Sequence, residues 1–320
     1  MKLWRKRYRD VRFRLVDITC ISYFSLIGFL LIFFHKNVPH WPLCVILHMF
    51  LILFILEIVR WGEKNRDRKI LWFLRTFYPI AIILIAWGEL DGIIPMFFGN
   101  YWATDVMIRF EKSIFGVLPT LWLQQSYQPW LDELMNILYS GYYVFIPLVS
   151  LTLYIKRKHE AALAAFSFAI FAYLANYLFF FLLPALSPMM AEALADQNIG
   201  SWTGYVFADF TRFIQSSAGC RGATFPSSHI SGVFMWSFVA LRYQRPMGYV
   251  LMPFAFGVGM ASSYLGYHYL LDSIFGFVWA LICYPVVLKI LKSRNEDPLS
   301  SVCSLDEISR PLNARGSLSG

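Results

Sequence analysis

The sequence predicts an all-α protein, a multi-pass transmembrane helix bundle of about eight spans with interfacial helices on its outer side. Three observations carry that expectation. Of 320 residues, 58% are hydrophobic and only 15% charged, with a mean hydropathy of +0.53; average soluble chains are about 45–50% apolar and about 25% charged. The apolar residues gather in runs of the roughly 17–25 residues that a bilayer core requires. The basic residues gather in alternate connections between those runs. This composition excludes a disordered chain, a disulfide scaffold and an ordinary soluble enzyme, because too few polar residues remain to cover a soluble surface.

The spans follow in order. The first is expected from about Val16 to Phe34, ending where HKNVPHWP supplies two prolines. The second runs from Pro42 to Val59, and the third from Leu71 to about Phe98, with Gly88 and Gly92 as possible breaks. Leu134 to Ile155 and Ala161 to Leu183 give the fourth and fifth. After a long mixed loop come Ile230 to Leu241, Tyr249 to Leu265 and about Tyr269 to Leu291. The first apolar run is too long for a cleavable signal peptide, and no small-residue cleavage site follows it.

Charge sets the expected orientation. With the N-terminus inside, 23 of the 28 Lys and Arg fall on one side, leaving Lys36, Arg109, Lys112, Arg212 and Arg221 on the other. Retention of Lys and Arg on the cytoplasmic side is the main determinant of topology. Both termini are therefore expected in the cytoplasm of a cell-membrane protein, and the net charge of +8 needs no nucleic acid to explain it. Four segments follow: a basic N-terminus (1–15), N-terminal helices with an outer interfacial segment (16–160), a helical unit holding the candidate chemistry (161–292) and a tail expected to be disordered (293–320). Of the five cysteines, only Cys220 falls on the outer side, so an intrachain disulfide there is not expected.

Two long segments face outward by this topology. Glu89 to Glu133 contains DVMIRFEKSIFGVLPTLWLQQ and Pro184 to Pro226 contains WTGYVFADFTRFIQSS; both mix aromatic residues with isolated charges, as interfacial helices do. The first five spans show no series of buried charges of the kind that marks an ion pathway.

Chemistry concentrates in GCRGATFPSSHISG and SSYLGYHYLLDSIFG, which the topology brings to the same outer end. His268 and Asp272, four apart, share a helical face. The carboxylate can hold one imidazole nitrogen and leave the other as a nucleophile, while His229 across the site can protonate a leaving oxygen. Ser227 and Ser228 open a helix whose free N–H groups can cradle an anion, and Arg221 can clamp an anionic oxygen. Together these suit phosphoryl transfer through a phosphohistidine. The same residues also admit plainer roles: a helix cap, a local His–Asp hydrogen bond, a lipid-headgroup contact, or a His–His–Asp metal site.

At these residues the chain resembles the type 2 phosphatidic acid phosphatase superfamily, whose motifs are KxxxxxxRP, PSGH and SRxxxxxHxxxD. Pro226 to His229 reads PSSH, and SSYLGYHYLLD places His268 and Asp272 at the essential pair of the third motif. The resemblance implies His268 as nucleophile, Asp272 as its orienting partner, His229 as general acid, and Ser227 and Ser228 in the phosphate pocket. It covers roughly Ala161 to Lys292. Ser262 stands where the third motif has arginine, and NYLFFFLLPALSP puts Asn176 and Leu183 at the lysine and arginine of the first. The FPSSH and HYLLD segments are similar to the branch containing inositol phosphorylceramide synthases. Arg221, then Arg109 or Arg212, are the candidate replacement cations.

The expected function is that of a membrane phosphatase or phosphotransferase acting on a lipid or polyprenyl phosphate ester at the outer face, with no metal and no cofactor. The alternative is a non-catalytic lipid-binding protein or transporter that keeps the fold. The motifs select neither the lipid nor the acceptor, and the oligomeric state is open.

Overall fold

The computed structural model describes residues 7–197, 199 and 204–300. Among them are twelve α-helices joined by turns and short 3₁₀ segments, and no β-strand; Ala185 and Ala223 form an isolated bridge. The helices are α1 (Leu15–Phe33), α2 (Trp41–Lys64), α3 (Lys69–Ile93), α4 (Thr104–Phe115), α5 (Pro119–Gln124), α6 (Pro129–Ser140), α7 (Tyr142–Ile155), α8 (His159–Leu182), α9 (Val206–Ala218), α10 (Ser228–Tyr243), α11 (Arg245–Tyr264) and α12 (Leu270–Ser293).

All eight expected spans are helical, but they do not all have the length and apolarity of a membrane crossing. Five do: α1, α2, α3 with its 3₁₀ extension to Met96, α8 and α12. A sixth arises if Pro129–Phe145 and Pro147–Ile155, bent by 42°, count as one; a proline inside α7, Pro147, removes a backbone donor at the bend. The expected sixth span, α10, is only 16 residues long and carries three serines, a histidine and an arginine. The seventh, α11, is 20 residues long but holds three glycines and two prolines. The third does not break at Gly88 or Gly92; α3 is continuous through both.

Helix α8 is the axis of the bundle, contacting α1, α3, α7, α10 and α12. Its sequence explains why: Ala161, Ala162, Ala164, Ala165, Ala169 and Ala172 are all buried, and small side chains let several helices approach one backbone closely. Gly232 of α10 serves the same purpose, since a Cβ there would lie 2.0 Å from the Tyr173 hydroxyl of α8.

Buried charge in the first spans is richer than the sequence suggested. Asp17 of α1 and Arg75 of α3 are both fully buried, joined at 2.7 Å, and the Tyr78 hydroxyl donates to the second Asp17 oxygen at 2.6 Å. His48 of α2 meets Glu89 of α3 at 2.8 Å. These are two separate pairs at different levels, and each charge in low dielectric requires such a partner. Arg75 lies inside α3, within the third expected span.

The chain after α12 is packed up to residue 300, although the sequence placed 293–300 in a disordered tail. Glu296 accepts the Leu15 N–H at 2.8 Å, and Asp297 binds Arg242 at 2.5 Å and the Tyr243 hydroxyl at 3.0 Å. The remainder of that expected tail, with Cys303, and the first residues of the basic N-terminus lie outside the described residues.

Candidate active site

The PSSH segment starts α10. Ser227 is its N-cap, accepting the Ile230 N–H on Oγ at 3.3 Å, and a cis Phe225–Pro226 bond precedes it. The start of α12 lies against it: the Ser227 N–H donates to the Asp272 carbonyl at 3.0 Å. Gly276 permits that approach, because a Cβ there would stand 2.6 Å from the Ser227 carbonyl oxygen. Asp272 closes the first turn of α12, its Oδ2 accepting the Tyr269 N–H at 2.9 Å.

This junction brings the two histidines and the aspartate together. His268 Nδ1 lies 3.1 Å from the Thr224 carbonyl and 3.5 Å from Asp272 Oδ2. A carbonyl oxygen only accepts, so Nδ1 carries the proton and Nε2 keeps its lone pair. His268 Nε2 faces His229 Nδ1 at 3.4 Å, and by the same reasoning His229 Nδ1 is the donor of that long hydrogen bond. Burial pushes the His268 imidazole down to about 4, partly opposed by the Thr224 carbonyl, so its Nε2 is unprotonated at neutral pH.

Both rings border a cavity of ≈ 310 Å³ whose walls include Trp87, Tyr139, Arg212 and Tyr267. His229 is boxed by aromatic rings, with centroids 4.5 Å away for Tyr142, 5.6 Å for Tyr139 and 5.7 Å for Trp87. Gln215 donates to the Tyr139 hydroxyl at 2.9 Å. Helix α9 contributes Arg212 and Gln215 to this wall, and α6 contributes Tyr139. Among the described residues lining the cavity, Arg212 alone carries a permanent positive charge; it also bonds Asp209.

Other residues expected at the site lie elsewhere. The Arg221 guanidinium sits over the Trp102 ring at 5.6 Å, while its backbone N–H donates to Asp91 at 2.8 Å. Arg109 is exposed on α4 and borders no part of the cavity. Ser227 and Ser228 are buried behind the histidines rather than lining the cavity. Ser262 hydrogen-bonds the Ser273 hydroxyl at 3.1 Å, and its carbonyl receives the His268 N–H at 3.2 Å. The position of the missing arginine thus serves to hold the His268 backbone.

Three contributors were not picked out from the sequence: Thr224, Tyr139 and Glu111. Thr224 stands three residues before Ser227, but a backbone acceptor leaves no mark on residue type. Tyr139 falls inside the fourth expected span, among other aromatic residues. Glu111 of α4 is buried, accepts the Leu271 N–H at 3.1 Å, and is pushed up to about 7 by burial, with Asp272 adding to the rise. Among the described residues no group of three His, Cys, Asp or Glu side chains is disposed to hold a metal ion.

No curated protein and no solved structure matches the chain. A family model described as the PAP2 superfamily matches residues 106–286. The match begins in α4, well before Ala161, and so includes α6 and α9, which wall the cavity. It spans more than half of the chain and supports activity of the phosphatase or phosphotransferase type; the protein belongs to the PAP2 superfamily.

Proposed function

We propose that the protein transfers a phosphoryl group from a lipid or polyprenyl phosphate ester, through a phosphohistidine, at the outer membrane face. The observation that carries this reading is the His268–His229 pair at the cavity wall, with Nδ1 of His268 anchored on Thr224 and its Nε2 lone pair turned toward His229. In the first step the Nε2 lone pair forms a bond to phosphorus as the bond to the ester oxygen breaks. His229, protonated as the imidazolium beside the bound anionic phosphate, gives a proton to the departing alkoxide and is left neutral. In the second step His229 accepts a proton from water or an alcohol, whose oxygen bonds to phosphorus while the P–N bond breaks. Asp272, 3.5 Å from Nδ1, stabilises the positive charge that develops on His268.

Developing charge on the phosphoryl oxygens needs cations or donors around it. Arg212 at the cavity wall is the proposed cation, and Arg221, stacked on Trp102, does not line it. Ser227 and Ser228 contribute by shaping the N-terminus of α10. The chemistry requires no metal. FPSSH and HYLLD are similar to the inositol phosphorylceramide synthase-like branch, and either water or an alcohol serves as acceptor in this scheme. The motif cations replaced by Asn176, Leu183 and Ser262 favour the competing reading, a lipid binder without turnover.

Purified protein with a panel of lipid phosphates, with chelator present throughout, separates the two. Phosphate release or head-group transfer is expected, with His268→Ala and His229→Ala each lowering it by at least about 10³-fold, on the scale of removing an essential catalytic group. In the same assay Arg212→Gln is expected to cost about 10²–10³-fold, as loss of an oxyanion donor does, and Arg221→Gln less than about tenfold. Turnover unaffected by both histidine substitutions overturns the site; loss with chelator that zinc restores overturns the metal-free chemistry.

A further inference from the structure

A second cavity, of ≈ 1010 Å³, opens at the end of the bundle remote from the histidines. Helix α10 connects the two ends, running 16 residues from Ser228 beside the catalytic pair to Tyr243 at this cavity, a length of about 24 Å. Four separate stretches of chain line it: the α2–α3 connection, the α7–α8 turn, the end of α10 and residues 298–299.

Its charge is unbalanced. Arg66, Lys69, Arg157, Lys158 and Arg242 border the cavity, against a single carboxylate, Glu160. The nearby acids already have partners: Glu160 binds Arg14 at 2.7 Å, Asp297 binds Arg242 at 2.5 Å, and Glu63 binds Arg66. Lys69, Arg157 and Lys158 have no carboxylate within ion-pair distance among the described residues. The 24-residue helix α8 begins here without a side-chain cap, so the positive end of its dipole faces the same space. The Nδ1 atom of His159 is buried there without a hydrogen-bond partner.

The other wall is apolar, formed by Trp72, Ile155 and Leu299, with Ile155 68% exposed. Retention of Lys and Arg on one side of a membrane accounts for basic loops. It does not account for a concavity in which three uncompensated cations and an unpartnered imidazole nitrogen meet beside an apolar wall. Cations sharing one concavity attract an anion into it, and a ligand with an anionic head and a hydrocarbon body matches both walls.

We propose that this cavity binds the phosphate head group of an anionic phospholipid, with the phosphate on Lys69, Arg157 and Lys158 and the acyl chains along Trp72 and Ile155. The site is separate from the histidine cavity and is independent of the chemistry proposed there.

Thermal unfolding of the full chain in detergent tests it, with phosphatidylglycerol, phosphatidylcholine or inorganic phosphate added. Phosphatidylglycerol is expected to raise Tm by several degrees in both wild type and His268→Ala, through preferential binding to the folded state. The triple variant Lys69→Gln, Arg157→Gln, Lys158→Gln is expected to need at least about tenfold more lipid for the same shift. An unchanged lipid response in the triple variant overturns the site. An equal response to phosphatidylcholine, or a full response to inorganic phosphate alone, overturns the anionic lipid as ligand. If the triple variant does not fold, hydrogen exchange on wild type decides: slowing at residues 157–162 on adding phosphatidylglycerol supports the site, and slowing confined to residues 224–229 and 267–268 overturns it.

Discussion

His268 is held by groups of three kinds: a backbone carbonyl on Nδ1, a carboxylate behind it, and a second imidazole on Nε2. The carbonyl settles the tautomer, and burial lowers the affinity for a second proton. An ordinary imidazole titrates near 6.5, so an unperturbed nucleophile would lose activity on mild acidification. With His268 lowered to about 4, Nε2 remains a lone-pair donor until the pH falls through that value. The acid limb of kcat/KM is therefore expected near pH 4, measured on a phosphodiester so that the substrate's own second ionisation does not intrude. A limb near 6.5 would show that the burial of His268 does not govern its protonation. Two histidines and the aspartate were legible in the sequence because residue type and spacing define them. The choice of cation was not. Arg212 and Arg221 are both isolated arginines in outer segments, and only the packing of α9 turns one toward the cavity while Arg221 stacks on Trp102.

Element boundaries followed the apolar runs closely, because a helix in hydrocarbon must satisfy its own backbone. The runs could not disclose which helices reach across. Helices α10 and α11 fall short in length or apolarity, and α6–α7 is bent. Together with the start of α12 they are nevertheless the helices that surround the histidine pair, and their serines, glycines and prolines suit the close packing there. Gly232 is the clearest instance, sited where α10 meets the Tyr173 hydroxyl. Gly232→Ala is expected to destabilise the fold by about 1–3 kcal/mol, the ordinary cost of forcing an extra carbon into a packed contact, despite alanine's better helix propensity. Chemical or thermal unfolding reads this directly; a stability equal to wild type would mean that α8 and α10 separate freely. The buried pairs Asp17–Arg75 and His48–Glu89 escaped detection for a related reason. Each charge is a lone interruption of an apolar run, and its partner is 58 or 41 residues away.

For the whole molecule, the distribution of Lys and Arg makes a directional statement that geometry alone does not. The histidine cavity and the basic cavity lie at opposite ends of the bundle, and the sequence assigns the first to the outside. A cysteine introduced at the exposed Lys112 of α4 is expected to react with an impermeant maleimide in intact cells, and one at Arg66 only after permeabilisation. The reverse pattern would invert the topology. Native Cys220 is a poor reporter, since it is half-buried and burial pushes its thiol pKa up, leaving little thiolate to react.

The latch formed by Glu296 and Asp297 also has a practical consequence. Because one carboxylate satisfies the first turn of α1 and the other neutralises Arg242, a fluorescent reporter or affinity handle joined at residue 294 would replace a structural clasp with a foreign chain. It would release the opening helix and uncover an arginine beside the basic cavity. The same handle joined beyond residue 300 would leave both intact, so the two fusions would yield proteins of different stability from an identical bundle.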